Sequence, residues 1–445
     1  MRAKVAGPLA DTLAGARAEA VLRACVHCGM CNAVCPTFQL TGDELDGPRG
    51  RIYLMKGALE GEPVGPETLL HLDRCLECRA CETACPSGVE YHRLLDVGRP
   101  FVEAKVRRPW RDRLTRAAIR WVTPHPGRFA LATALGRLAG PLLPKGLRGK
   151  VVSRTLPPEG RVASPDLVRG RRVGVSLRDP DVAGSPPPPT PPLEGEGRSM
   201  ALLAGCVQSV AAPHFNAAAK RVFARVGVGL SECAGAGCCG AVSFHLDAPE
   251  EAKAFARANI DAWTAALDAG AEAVVVTASG CAAFIKDYPD LLADDPAYVD
   301  KARRIADLVR DPVEVLEAAC PEARRLPRRP RIAVHDPCTL RNGLRLGGRV
   351  EALLARLGYE PQPVRDAHLC CGSAGPYALT QPAFAATLRA GKIAALTGAE
   401  PDGIVTANIG CWMHLGETSP VPVRHWIEAV DEVTTSRRHA WLSSV

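Results

Sequence analysis

The chain has 445 residues, of which 47% are hydrophobic and 23% charged, the composition of an ordinary globular protein with about three domains. Its net charge of +7 is too small to indicate a nucleic-acid partner, and its 5% aromatic content argues against binding by base stacking. These values are also unlike those of a disordered or fibrous chain.

Eighteen cysteines are many for a protein of this size. The first twenty residues are interrupted by charges and show no signal peptide. No run of about eighteen apolar residues occurs, so we expect no membrane span. We therefore predict a cytoplasmic protein, peripheral at most on the inner face of the plasma membrane. Its thiols stay reduced there, and clustered cysteines indicate metal ligands rather than disulfides.

Two four-cysteine runs lie in the first hundred residues, CVHCGMCNAVCP from residue 25 and CLECRACETACP from residue 75. Both follow C-x2-C-x2-C-x3-C-P, the spacing of two-cluster ferredoxins, in which the fourth cysteine of one run binds the cluster of the other. Two zinc sites or reduced structural cysteines are the alternatives, and the repeated pattern disfavours them. We predict two [4Fe–4S] clusters. The first would be bound by Cys25, Cys28, Cys31 and Cys85, and the second by Cys75, Cys78, Cys81 and Cys35.

The segment between the two runs has helical periodicity. In GPRGRIYLMKGALEG, the residues Ile52, Met55 and Leu59 share one face, and Gly61 is a typical helix stop. We therefore predict a mainly helical ferredoxin-type domain over residues 1–104.

Residues 105–154 carry thirteen Lys or Arg and one acid, a local charge of +12. Leu114, Ala118 and Trp121 follow helical spacing, which predicts a basic amphipathic helix. We expect this helix to contact either a membrane surface and the quinone dissolved in it, or a protein partner. A solvated linker helix, or a basic patch that offsets cluster charge, are the alternatives. Six of the seven residues 186–192 are proline, so the region 105–199 ends in a linker.

The C-terminal half is an internal repeat. Cys206 and Cys338 are 132 residues apart, the two Cys-Cys-Gly motifs are also 132 apart, and Cys281 and Cys411 are 130 apart. Apolar β-type runs precede these cysteines and alternate with helical patterns, which predicts two α/β lobes with parallel strands at 200–325 and 326–445. The predicted fold class is therefore α+β multidomain, with a helical ferredoxin-type domain followed by two duplicated α/β lobes.

Each lobe carries four cysteines near the carboxyl ends of its predicted strands, where open α/β sheets build their sites. Four thiols suffice for one cluster or one tetrahedral metal ion, although free cysteines are also common small core residues. His414 is a further candidate ligand, Cys233 a candidate extra ligand, and His335 with Asp336 would either orient a ligand or stabilise a turn. The candidate sets are Cys206, Cys238, Cys239 and Cys281 in the first lobe, and Cys338, Cys370, Cys371 and Cys411 in the second.

With these motifs, together with GPRGRIYLMK, HDPC and NIGC, the sequence resembles the iron–sulfur subunits of glycolate oxidase. The resemblance implies a complex with FAD-binding glycolate oxidase subunits, which oxidise glycolate to glyoxylate. It implies that this chain passes the flavin electrons through its clusters to a quinone-type acceptor. We accordingly expect an electron-transfer component of a glycolate dehydrogenase, acting on a CH–OH group, with no flavin and no catalytic residue of its own.

The Cys-Cys-Gly lobes also resemble subunits of heterodisulfide reductase and of anaerobic glycerol-3-phosphate dehydrogenase, where the pattern ends in C-x-x-C. Here Phe284 and His414 stand at the place of the last cysteine. Three alternative functions therefore remain. The chain would be an iron–sulfur subunit of the glycerol-3-phosphate enzyme, a thiol–disulfide reductase in which a lobe is itself catalytic, or a structural zinc protein. Zinc sites would leave the protein colourless and free of labile sulfide.

Overall fold

The computed structural model describes residues 3–139, 198–321 and 328–435. It confirms the predicted fold class, a helical N-terminal region followed by two α/β lobes. The predicted proline-rich linker and residues 140–154 of the basic stretch lie outside the described residues.

The N-terminal region is built from short helices whose ends follow from the sequence. Thr12 accepts a hydrogen bond from the Gly15 N–H at the start of the first helix, and Gly61, at φ 99°, ends the helix predicted between the cysteine runs. Prolines begin several of the others. The α-helices are Leu13–Ala24, Pro36–Thr41, Pro48–Glu60, Pro66–Asp73, Ala80–Thr83 and Tyr91–Lys105, and the 3-10 helices are Gly7–Leu9, Met30–Val34 and Glu44–Asp46.

Two consecutive helices, Trp110–Val122 and Pro126–Ala139, form what we term the helical hairpin. The first has an inverted arrangement, because Arg116 is buried at 6% exposure whereas Leu114 and Trp121 are 62% and 61% exposed. Leu114 and Trp121 therefore point outwards, whereas Ile119 of the same helix is buried. In the described part of the chain, no helix combines the length and the hydropathy needed to cross a membrane.

The first lobe contains a four-stranded parallel sheet with the strand order β2-β1-β3-β4. Its strands are β1 Arg198–Leu202, β2 Val228–Glu232, β3 Val274–Val275 and β4 Val309–Arg310. Its helices are Gln208–Ala211, Pro213–Arg225, Ala241–His245, Pro249–Asp268, Ser279–Lys286, Tyr288–Leu291, Val299–Leu308 and Pro312–Ala318.

The second lobe repeats this topology with the parallel strand order β6-β5-β7-β8. The equivalent order of the two sheets is what the repeated cysteine spacing predicts. The strands are β5 Arg331–His335, β6 Glu360–Gln362, β7 Gly403–Thr406 and β8 Val423–His425. The helices are a π-helix at Thr339–Gly343 and α-helices at Arg349–Arg356, Tyr377–Thr380, Pro382–Thr397, Ile409–Gly416 and Trp426–Thr434.

The carboxyl ends of the central strands of one lobe face those of the other lobe. The Ser279 N–H, beyond β3, donates to the Ala407 carbonyl oxygen, beyond β7, at 3.0 Å. His425 Nε2 lies 3.0 Å from the Thr277 carbonyl oxygen. One hydrophobic core contains residues of both sheets and the fully buried Trp426. The lobes therefore form one body, and their strand-end cysteines share a common side.

A buried ionic network holds the N-terminal region against the first lobe. Arg99 donates to Glu77 at 2.5 Å and to Asp247 at 3.2 Å, and His245 Nδ1 lies 2.6 Å from Glu77. Burial raises the pKa of Glu77, but the charges of Arg99 and His245 outweigh burial and hold the pKa well below its ordinary value. Arg116 of the helical hairpin also pairs with Asp247, at 3.0 Å. Part of the basic stretch therefore compensates buried acids rather than facing solvent.

Candidate iron–sulfur centres

The two cysteine runs have the same left-handed turns at equivalent positions. His27 and Gly29 have φ values of 61° and 82°, and Glu77 and Arg79 have values of 52° and 54°. Such backbone is uncommon for non-glycine residues, and its recurrence in both runs indicates one loop conformation imposed by a shared role. These turns wrap the first three cysteines of each run around a small cavity.

The first small cavity is lined by the four cysteines of the predicted first cluster together with Cys81. The fourth of these, Cys85, comes from the second run, as the interleaved assignment requires. Cys28 is exposed, and it is the one exposed cysteine among all eighteen, each of which lies in the described part of the chain. This site is therefore close to the protein surface.

The second small cavity is lined by the four cysteines of the predicted second cluster, including Cys35 from the first run. It lies deeper than the first. Cys78 packs in one apolar group with Cys338 and Cys370 of the second lobe, and its carbonyl oxygen accepts a hydrogen bond from Asn342 at 2.9 Å. The second site is thus enclosed between the N-terminal region and the second lobe.

The thiols of both sites are crowded and largely withdrawn from water, and their number and type match the ligands of a metal cluster. Burial and the neighbouring sulfur of Cys25 raise the pKa of Cys31 to about 11, and burial and Cys78 raise that of Cys81 well above its ordinary value. Sulfurs crowded in this way stay protonated unless a bound cation replaces the protons. Sulfur donors in groups of four are the ligand set of iron–sulfur clusters and of structural zinc.

Two arginines, which sequence reasoning did not identify as functional, lie one at each site. The guanidinium group of Arg49 packs against Gly29 in the first loop. The Arg49 side chain is part-exposed and forms a salt bridge with Glu44. Arg51 is 1% exposed, its Nη1 lies 4.0 Å from Cys35 Sγ, and its Nε donates to the His71 carbonyl oxygen at 2.7 Å. The motif GPRGR thus supplies positive charge to both sites. The sequence did contain a signal for this role, because Arg51 is a charged residue directly beside Ile52 on the apolar face of the helix.

The glycine of each Cys-Cys-Gly motif is required by the backbone. Gly240 and Gly372 have φ values of 91° and 88°, and a Cβ atom at Gly372 would lie 2.7 Å from the Ala385 carbonyl oxygen. Each N–H lies 3.4 Å from the sulfur of the first cysteine in its motif. The motif is therefore a tight turn that presses two thiols against a following helix in both lobes.

The structure brings the four candidate cysteines of each lobe together. In the second lobe, Cys338 Sγ lies 3.9 Å from Cys370 Sγ, and Cys371 Sγ lies 3.1 Å from Cys411 Sγ. In the first lobe, the side chain of Cys238 interacts with Cys206 and with the adjacent cysteine of its motif, which in turn interacts with Cys281. Cys233 is half-buried, and its side chain packs at the edge of the first-lobe core.

His335 lies with two thiols of the second lobe in a group that could hold a metal ion. Its ring nitrogen and the sulfurs of Cys371 and Cys411 lie within 4.8 Å of one another, and burial lowers the pKa of His335 to about 3. The ring is therefore neutral and available as a ligand or hydrogen-bond donor. The predicted candidate His414 directs Nε2 to the Ala385 carbonyl oxygen at 3.2 Å. Asp336 accepts from the Gly348 N–H at 2.7 Å, a turn-stabilising contact.

All eight lobe cysteines line one cavity of about 1200 Å³ between the lobes. Residues of the helical hairpin and Cys75 of the second small site line it as well. The sequence predicted one site in each lobe, and the structure adds that both open into the same space. Thiol sets therefore follow one another from the exposed Cys28 to this interlobe cavity.

Comparisons with known proteins identify the segments that contain these cysteines. A family profile described as "4Fe-4S dicluster domain" matches residues 21–89, and one described as "Cysteine-rich domain" matches residues 200–286 and 332–416. The "Glycolate oxidase iron-sulfur subunit" of Escherichia coli (strain K12) is 47% identical over 93% of this chain and 95% of its own. The chain belongs to the family of glycolate oxidase iron–sulfur subunits.

Other relatives extend the family. The "Probable glycolate oxidase iron-sulfur subunit" of Bacillus subtilis (strain 168) is 31% identical over 89% of both chains. "Lactate utilization protein A" of Bacillus licheniformis is 23% identical over 52% of this chain and 98% of its own. Membership in the glycolate oxidase family and the dicluster profile make this chain an iron–sulfur protein and a component of an oxidoreductase complex.

Proposed function

We propose that the chain is the electron-transfer subunit of a complex in which a partner flavoprotein oxidises glycolate to glyoxylate. The observation that carries the proposal is the succession of four-thiol sites, from a surface site through an enclosed one to the interlobe cavity. Similarity to the glycolate oxidase iron–sulfur subunits supports the substrate. The four predicted chain segments, 1–104, 105–199, 200–325 and 326–445, remain part of this proposal.

The two small sites would hold one [4Fe–4S] cluster each, with the interleaved cysteine assignment, and each lobe set would hold a further cluster or metal ion. Clusters bound at these sites supply one-electron redox chemistry. The chain contributes the sulfur ligands, the turns that position them, and the positive charges of Arg49 and Arg51. Burial of the second site excludes water and strengthens the effect of Arg51 there.

The flavoprotein would contact the face around Cys28. Val26 lines this site, Met30 directly precedes Cys31, and the Tyr53 ring lies 6.2 Å from that of His27, which also lines the site. Each of the three is more than half exposed. Aromatic and methionine side chains of this kind are enriched in protein interfaces. We expect Val26→Asp combined with Tyr53→Ala to weaken co-purification of the flavoprotein. Leu70→Asp, at an exposed apolar residue of helix Pro66–Asp73, is the control and should leave it unchanged.

The helical hairpin would place the complex on the inner face of the plasma membrane. Arg111 and Arg128 stack over the exposed rings of Trp110 and Trp121, which combines cations with aromatic surface as in interfacial helices. The full chain should float with vesicles that contain anionic phospholipid and detach at high salt. Leu131→Glu should abolish flotation, because Leu131 is 60% exposed. Flotation that is unchanged by this substitution would contradict the placement.

The function itself is tested by co-purification and spectroscopy. Tagged chain, isolated without oxygen from cells that also express the flavoprotein, should retain flavin in the complex and reduce an artificial dye when glycolate is added. EPR signals of reduced clusters should appear with glycolate. If the isolated chain binds stoichiometric flavin and oxidises glycolate alone, the division of labour is wrong.

The short contact between Cys371 and Cys411 favours a second candidate, thiol–disulfide reduction by the second lobe. That function requires turnover of a low-molecular-weight disulfide by the isolated chain when a reductant is supplied. Absence of turnover in protein with intact clusters would leave electron transfer as the function.

A further inference from the structure

The two lobes can be compared residue by residue around their thiols. A Cβ atom at Gly240 would meet backbone atoms of Ala252, and one at Gly372 would meet backbone atoms of Ala385. These two alanines are 133 residues apart, and they align the helices that follow the two Cys-Cys-Gly turns. Residues with this offset therefore occupy equivalent places behind the two thiol sets.

Lys392 is a buried cation behind the thiols of the second lobe. It is 3% exposed, and its Nζ donates to the carbonyl oxygens of Asp366 and Ala367 at 3.0 and 3.3 Å. Burial lowers the pKa of Lys392, and the sulfurs of Cys370 and Cys371 oppose this effect. Its hydrogen-bond acceptors in the described part of the chain are carbonyl oxygens, so no acid neutralises its charge beside the thiols.

The first lobe has a neutral residue at the equivalent place. The counterpart of Lys392 is Asn259, which is fully buried and donates to the Cys238 carbonyl oxygen at 2.8 Å. The cations that line the interlobe cavity do not replace the missing charge, because they are paired with acids. The pairs are His245 and Arg99 with Glu77, Arg116 with Asp73, and Arg389 with Glu417.

Two further polar groups distinguish the second lobe. The residue three positions before its first cysteine is His335, whereas the first lobe has Leu203 there. Asn408 Nδ2 donates to Cys411 Sγ at 3.7 Å, and Ala278 takes this place in the first lobe. Positive charge and hydrogen bonds at cluster sulfurs favour the reduced state, because reduction adds negative charge. The second-lobe set is therefore the better electron acceptor of the two.

The second lobe also adjoins the enclosed N-terminal site. Cys78 of that site packs in one apolar group with Cys338 and Cys370. The apolar groups that contain Cys239 and Cys281 of the first lobe include no cysteine of the N-terminal runs among the described residues. An electron that leaves the enclosed site therefore meets the second-lobe thiols first.

We propose that the second lobe holds the redox centre that takes electrons from the enclosed site, and that Lys392 sets its reduction potential above that of the first-lobe centre. The step moves one electron from the reduced enclosed centre to the oxidised second-lobe centre, with no proton transferred and no bond made or broken. The first-lobe centre lies off this route. The inference rests on the proposed function, which supplies the electrons.

Redox titration of the full-length chain with dithionite, followed by EPR, tests the role of Lys392. Lys392→Asn gives the second lobe the residue of the first. At a fixed potential it should raise the oxidised-to-reduced ratio of the second-lobe centre about tenfold or more, a shift of about 59 mV for one electron. Lys392→Arg keeps the charge and should return most of the shift. Lys286→Asn, at a half-buried lysine of the first lobe that donates to the Ala306 carbonyl oxygen, is the control and should leave the ratio unchanged.

A pair of ligand variants tests the route and does not depend on the folding of the lysine variants. Cys371→Ala and Cys239→Ala remove equivalent cysteines from the two lobes. Cys371→Ala should remove the second-lobe signal and slow the spin relaxation of the enclosed-site signal, because a paramagnetic neighbour is lost. Cys239→Ala should leave that relaxation unchanged.

Three results overturn the inference. They are an unchanged ratio in Lys392→Asn, faster loss of coupling in Cys239→Ala than in Cys371→Ala, and a second lobe that contains zinc without iron. If any of them occurs while glycolate still reduces the N-terminal clusters in the complex, the proposed function stands and the inference alone fails. If the titrations give the expected shifts but glycolate produces no signal in the complex, the failure lies in the proposed function, since dithionite supplied the electrons.

Discussion

The N-terminal cysteine loops and the two lobes bring thiols together in different ways. In the loops, three of four sulfurs come from seven consecutive residues, and repeated left-handed backbone at His27 and Glu77 sets their positions. In the lobes, the sulfurs come from strand ends that are separated by up to 75 residues, as from Cys206 to Cys281. Loop sites are therefore encoded locally, whereas lobe sites exist only when the parallel sheets and their packing are formed.

The largest expected effect concerns ligand removal. Cys35→Ala should remove about four irons and the EPR signal of the enclosed site, and Cys85→Ala should remove about four irons and the signal of the surface site. The reason is the interleaving seen in the two small cavities. Cys320→Ser is the matched control, because this half-buried cysteine belongs to no thiol set. Loss of the same signal in both ligand variants would contradict the interleaved assignment.

The lobe turns should be sensitive to a single methyl group. Gly372→Ala should lower the free energy of unfolding by about 2–4 kcal/mol, because the new Cβ meets backbone and must adopt positive φ. Gly240→Ala should cost less, since its nearest contact is 3.0 Å rather than 2.7 Å. Gly391→Ala, in open space on helix Pro382–Thr397, should be neutral or stabilising. Thermal unfolding at one scan rate measures all three, and equal midpoints would refute the steric argument.

The charge of Arg51 should raise the reduction potential of the enclosed site. Arg51→Met removes a buried cation close to Cys35, so the potential should fall by on the order of 100 mV. Arg49→Met should have a smaller effect, because its part-exposed charge is screened. Arg51→Lys should restore part of the potential. Redox titration followed by EPR measures the shift, and a larger shift for Arg49→Met would reverse the assigned order.

A smaller effect is expected at a lobe helix far from the loops. Asp311 caps helix Pro312–Ala318 by accepting from the Val313 N–H at 3.0 Å, and burial raises the pKa of this carboxyl to about 8. Because the folded-state pKa is the higher one, its contribution to stability is full below about pH 4 and is lost as the pH rises towards 8. Asp311→Asn keeps the cap without a charge. Thermal midpoints of this variant should therefore fall less than those of the unsubstituted protein between pH 5 and about 8.

Sequence alone predicted the elements whose signals are local. We predicted the helix that ends at Gly61 and the central strands that precede cysteines. The structure contains this helix and these strands. The edge strands were not predicted, because β4 has two residues and β6 contains Pro361, so neither has a periodic pattern. The common cavity depends on how the lobes pack, which no sequence spacing reveals. The position of His335 beside Cys371 and Cys411 depends on the pairing of β5 with β7 inside the second lobe.

Metal analysis joined to EPR tests the central assignment most directly. Chain purified without oxygen should contain at least about eight irons and an equal amount of acid-labile sulfide, and about sixteen irons if both lobe sets are filled. Reduction with dithionite should produce the magnetic signature of two interacting clusters. Zinc in place of iron, no labile sulfide and no paramagnetic signal after reduction would contradict the account.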